Sequence, residues 1–223
     1  MNLLPEKWSG QLNRSVRAAL EKALRIAAGS LAEAPGRASA ERTHTLLAAA
    51  GGGMGGILGL PGLLMELPFS TVIMLRSIIE IARSEGESIR DAETLLACLE
   101  VFALGGRSGN DNAAESGYFA MRALLARSLR DAARHIAARG LSQEGAPVLV
   151  RFISQIASRF GVTVGEKAAA QALPLVGAAG GVMINTMFIH HFQDTARGHF
   201  IVRRLERIYG GERVAREYAA IAV

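Results

Sequence analysis

The chain has 223 residues, half of them hydrophobic, with a mean hydropathy of +0.23, only 5% aromatics and a net charge of +5. Its apolar mass is therefore Ala, Leu, Ile, Val and Gly, which argues against a β-sandwich and for closely packed helices with one sizeable core. The positive charge is almost wholly arginine (the lysines are Lys7, Lys22 and Lys167) and has no interleaved aromatics, so a nucleic-acid surface is not expected; the single Cys98 excludes a disulfide framework and fits a reducing compartment.

The N-terminal MNLLPEKWSG lacks a basic segment followed by an apolar one, so no signal peptide is expected. From Pro5 to about Ala34 the spacing predicts a helix. Trp8, Leu12, Val16, Leu20, Leu24 and Ala27 recur on one face, and Lys7, Arg14, Arg17, Lys22 and Arg25 on the other. Such a basic amphipathic helix suits either a membrane interface or a solvated face packed on a core.

Ala34-Pro35-Gly36 reads as a break. Beyond it lies the most distinctive stretch, Leu46 to Ile81. Leu46 to Met65 carries no charge and seven glycines, several spaced by four, which lets another backbone approach closely. Gly59-Leu60-Pro61-Gly62 predicts a break between a helix over Leu46–Leu58 and another over Leu63–Ser84. This suits a buried or re-entrant hairpin better than a straight span. Glu66-Leu67-Pro68 places a carboxylate immediately before a second expected break.

Gly86 to Ser88 separates the next helix, with Ser88 as expected N-cap and Asp91 three residues on. Leu95 through Ala103 is an apolar helix, in which Cys98 reads as a small buried hydrophobe. The glycines of Gly105–Asp111 lack the Lys-Ser/Thr of a phosphate-binding loop, so this is a connector. Asp111–Arg139 is helical and ends at Gly140. Pro147 opens a helix that Gly161 is expected to end, leaving Val162–Lys167 as a turn.

A second charge-free stretch, Ala168 to Ile189, contains Pro174 and close glycines. It runs through His190-His191 and Asp194 into a basic helix over Phe192–Ile208, stopped by Gly210-Gly211 before a last helix over Glu212–Val223. Offset by 114, the two apolar stretches align. Thr71 matches Asn185, Arg76 matches His190, Glu80 matches Asp194, and Ala82-Arg83 matches Ala196-Arg197. A base and an acid at i, i+4 share a helix face. An internal repeat of this kind predicts a central site between two broken apolar hairpins, the alternative being chance likeness of two Ala/Gly-rich runs.

The order LPG, ELPFSTVIMLRSIIEIARSEGE, LEVFALGG, SGYFAMR, LPLVGAAGGVMIN and FQDTARGHFIVRRLERIYG resembles the EcsC family of bacterial proteins over nearly the whole chain. The resemblance implies a helical, hydrophobic, membrane-associated protein. The family is named for a member encoded alongside an ABC transporter, and it brings no catalytic residues to transfer.

Isolated charges among apolar helices are costly, so Glu66, Arg76, Glu80, Arg83, His190, Asp194 and Arg197 are expected to pair in a buried network. No metal site is assigned. His191 and Asp194 are its weak candidates, with no Glu-x-x-His or His-Glu-x-x-His motif beside them. No Gly-x-Ser-x-Gly elbow supports a hydrolase. No cofactor and no catalytic residue is assigned.

The expectation is one all-α helical-bundle domain over 1–223 with two glycine/proline-broken apolar hairpins. It would associate peripherally or re-entrantly with the cytoplasmic membrane face. Trp8, Arg14, Arg17, Arg203 and Arg204 would touch anionic lipid headgroups, and the role would be lipid binding or an accessory one in transport or secretion. A membrane-protein partner or a second copy is compatible with it. The competing expectation is a soluble metal-dependent enzyme or hydrophobic-ligand-binding protein with a buried Glu/His/Asp site.

Overall fold

The computed structural model describes residues 6–30, 41–106, 114–140, 146–171 and 177–221, with side chains for 10–27, 61–106, 117–140, 146–170 and 180–221. Among these the regular structure is all helix: α1 (Glu6–Ser30), α2 (Glu41–Ser84), α3 (Ala92–Leu104), α4 (Ala114–Arg139), α5 (Pro147–Gln171), α6 (Gly177–Tyr209) and α7 (Gly211–Ile221). The apolar faces expected of α1 (Leu12, Val16, Leu20, Leu24, Ala27) and α5 (Leu149, Phe152, Ile153, Ile156, Phe160) are buried. Gly140 and Gly210 stop their helices at φ 70 and 86, a left-handed conformation that glycine adopts without Cβ strain.

α3 lies at the centre. Every residue from Thr94 to Ala103 is buried, as befits a helix apolar all round. Phe102, Phe160, Phe188 and Phe192 pack where α3, α5 and α6 meet, with ring centroids 4.8 to 6.1 Å apart. Gly105 permits this approach, because a Cβ there would stand 2.6 Å from the Phe192 ring. The N-cap of α3 is Asp91, not Ser88, whose carbonyl instead accepts from the Asp91 N–H in the preceding turn.

Three expected breaks are absent. α2 runs unbroken through both Pro61 and Pro68, so its apolar stretch is one helix of 44 residues and not a hairpin. Each proline removes one backbone donor. Packing against other helices outweighs that loss, since helix stability in a folded chain comes mainly from tertiary contact. Likewise α5 continues through Gly161 and the expected turn at Val162–Lys167. Gly161 is instead a contact point, with Asn13 Oδ1 of α1 3.0 Å from where its Cβ would be. The breaks expected at Ala34-Pro35-Gly36 and Pro174 lie outside the described residues.

α2 and α6 run parallel. Glu66 meets Asn185, Ser77 meets Gln193 and Glu87 meets Arg203, at separations of 119, 116 and 116 residues. These lie close to the 114-residue offset of the two apolar stretches, so matching residues sit at similar levels of the pair.

Candidate functional site

Glu66 is buried, and its partners come from two other helices. Lys167 Nζ of α5 donates to Glu66 Oε1 at 3.1 Å, and Asn185 Nδ2 of α6 donates to the same oxygen at 2.6 Å. Lys167 also stands 4.8 Å over the Phe188 ring, a cation–π contact. Burial lowers the Lys167 pKa, and the Glu66 charge opposes it. Glu66 Oε2 accepts no hydrogen bond.

The other residues of the expected network are not fully buried. Arg76, His190 and Asp194 are at the surface, and Glu80, Arg83 and Arg197 are half-buried. Asp194 pairs locally with Arg197 at 2.6 Å. The reason is the parallel seam. It takes Ser77 and Gln193 inward, and successive helix residues point about 100° apart, so Arg76 and Asp194 beside them turn out.

His191 Nε2 is hydrogen-bonded with the Gly105 carbonyl at 2.6 Å, away from Asp194. Among the described residues, no three His, Cys, Asp or Glu side chains come together as metal ligands. Burial pushes the Cys98 thiol pKa up, consistent with a packing role.

The arginines expected at a membrane interface divide. Arg14 is exposed, and Arg17 forms a surface pair with Glu21 at 3.0 Å. Arg203 is bound to Glu87 at 2.9 Å and Arg204 to Glu85 at 2.7 Å, so both tie α6 to the turn after α2; the Arg203 side chain is largely covered, whereas Arg204 is exposed. Arg207 also reaches Glu87. Burial raises the Glu87 pKa, but the Arg203 hydrogen bond and the Arg203 and Arg207 charges outweigh it and hold the carboxyl below its usual range. The Trp8 side chain lies outside the described set.

A second buried polar cluster has no counterpart in the sequence reading. Tyr118 Oη and His199 Nδ1 share a hydrogen bond of 3.0 Å, and His199 Nε2 stands 4.0 Å from Glu100 Oε2. Arg122 clamps Glu206 with two bonds of 2.7 and 2.9 Å beside the Tyr118 ring. Burial, then the charges of Arg122 and Arg203, holds His199 well below its ordinary pKa, so it is neutral. Burial raises Glu100 to about 7 against the pull of Arg122 and Arg203. His199 and Tyr118 line a cleft of about 750 Å³ bounded by the end of α3, α4, α6 and α7, with Arg159 of α5 at its edge. The available signal was Glu100, the one charge between Thr94 and Leu104.

The opposite end of α6 carries an exposed apolar face. Met65 and Phe69 of α2 are 78% and 53% exposed, and Met183 and Met187 of α6 are 63% and 62%. Because Glu66 bonds Asn185, all four lie within about a turn of one level. Pro61–Ser84 has the length and apolarity of a membrane span, yet 61% of its most apolar window is buried in the fold.

A sequence model described as the EcsC protein family matches residues 4–205. No curated protein and no solved structure matches the chain.

Proposed function

The chain belongs to the EcsC protein family, and from that premise we propose that it is a peripheral membrane protein that seats the N-terminal end of its parallel α2–α6 pair in an anionic lipid surface. The observation that carries this reading is the exposed quartet Met65, Phe69, Met183 and Met187 at one level. The next exposed residues along the same helices are polar: Arg76 on α2, His190 and Asp194 on α6. His190 follows Asn185 by about 8 Å, and Arg76 follows Glu66 by about 15 Å, along the helix axes. Interfacial helices sink their apolar side chains roughly 5–10 Å into the headgroup boundary, with basic groups at the phosphates. Arg76 and His190 stand at the matching height. The charge-free run from Leu46 continues α2 beyond Met65 at the same end, and the net charge of +5 favours an anionic leaflet.

Flotation with vesicles of phosphatidylglycerol and phosphatidylcholine in equal parts tests this. The wild-type chain rises with the vesicles. The double variant Met65→Ser/Phe69→Ser, altered only at exposed positions, stays at the bottom with its helical circular dichroism unchanged. Equal flotation of the two chains would sink the reading.

A further inference from the structure

We propose that the cleft between α3, α4, α6 and α7 binds a single-chain amphiphile, its anionic head at Arg159 and its alkyl chain along Leu104, Met121, Leu124, Ile201 and Leu205. The volume, about 750 Å³, lies in the range of small-molecule sites. Apolar walls reach solvent, with Leu124 and Ile201 exposed, so the cleft has an entrance.

Charge selects the head. Among the described lining residues, Arg159 carries the only full formal charge, and no described acid pairs with it. His199 is neutral, so it adds no second cation that would demand a doubly charged head.

Position follows from the neighbours. A Cβ on Gly106 would stand 3.4 Å from the Arg159 carbonyl, and Gly105 is bonded to His191. Arg159, Gly106 and Thr195 therefore share one end of the cleft. Leu205 lies ten residues further along α6, about 15 Å away. The lining thus runs from a cationic end to an apolar one, which fits a head and a tail.

Gly198 lines the cleft, and a Cβ there would meet nothing within 4 Å. A larger side chain at 198 therefore fills the cleft without disturbing the helix. This inference does not depend on membrane docking, and its test contains no vesicles.

Titration calorimetry below the critical micelle concentration uses dodecanoate, dodecyl phosphate and the uncharged dodecanol. Dodecanoate or dodecyl phosphate binds one-to-one, and the tighter of the two assigns the head as carboxylate or phosphate. Dodecanol binds at least about tenfold more weakly, the scale of one hydrogen bond to a charged group. Arg159→Gln brings the anion's affinity down to that of dodecanol, and Gly198→Leu, with an unchanged melting temperature or a higher one, abolishes binding of all three. Binding of dodecanol as tight as the anions, or binding unaffected by Gly198→Leu, would overturn the proposal. Loss of vesicle flotation with this binding intact would fault only the membrane reading.

Discussion

Lys167 and Glu66 meet 3.1 Å apart with side chains only 1% and 6% exposed, joining α5 to α2 across 101 residues of sequence. A pair this deep gains Coulomb energy but gives up hydration, so its net worth is small while the cost of breaking one side is large. Lys167→Met alone should destabilise by about 3–5 kcal/mol, because Glu66 keeps only Asn185 as partner. Lys167→Met with Glu66→Gln retains an oxygen for Asn185 and removes the buried charge, so it should recover most of that loss. Urea unfolding of the two singles and the double gives the coupling energy. A double variant no more stable than Lys167→Met would contradict this account.

Glu100 makes stability depend on pH near neutrality. Its carboxyl titrates at about 7 in the fold against 4.5 when free. Between those values the native state holds more protons than the unfolded state, so this group's contribution falls as pH rises through the window. His199 acts oppositely: its folded pKa is depressed below 6.5, so its contribution is lost as pH falls below that value. Glu100→Gln retains the His199 effect and removes the carboxyl's. The variant's stability relative to wild type should rise between about pH 4.5 and 7, by on the order of 3 kcal/mol. A difference that is flat across this range counts against a raised carboxyl.

Arg203 should behave as a structural residue and Arg14 as a surface one. Arg203→Gln and Glu87→Gln each break the bond across the α2–α3 turn and should cost about 1–3 kcal/mol, the scale of hydrogen bonds to charged groups. The folded Glu87 pKa is depressed below 4.5, so the ion pair's contribution is full above 4.5 and disappears as pH falls through the folded value. Arg14→Glu should leave the melting temperature in place. On the membrane reading it weakens binding to anionic vesicles, whereas Arg203→Gln affects binding only through unfolding. Melting curves and flotation on both variants separate the roles.

Two glycines should respond with opposite signs. Gly105→Ala drives a Cβ into the buried Phe192 ring and should destabilise by about 1–3 kcal/mol. Gly198→Ala meets open space in the middle of α6 and should stabilise by up to about 1 kcal/mol through helix propensity. Denaturant midpoints measured side by side decide this, and a shared sign would refute the packing seen at Gly105.

Local rules account for what was legible beforehand. The 3.6-residue spacing of apolar positions marked the buried faces of α1 and α5, and Gly140, Pro147 and Gly210 marked helix ends, because each signal acts within a turn or two. The continuity of α2 through Pro61 is hidden for the same reason. A proline's local cost is visible in sequence, whereas the packing that overrides it is not. The outward turn of Arg76 and His190 is not legible in sequence, because i, i+4 spacing tells which residues share a face, not which way the face points.

The sequence by itself determined an all-α chain, a charge-free glycine-rich run in α2, and the need of Glu66 for a partner, since composition and periodicity fix helix type and a carboxylate among apolar residues must be compensated. Tertiary structure alone decided that Lys167 and Asn185 supply the compensation, that Arg203 is turned onto Glu87, and that Glu100, Tyr118 and His199 converge beside a cleft. Those pairings join residues 81 to 119 positions apart. Only the parallel register of α2 and α6, and the packing of α3, α4 and α5 against them, brings such groups within reach.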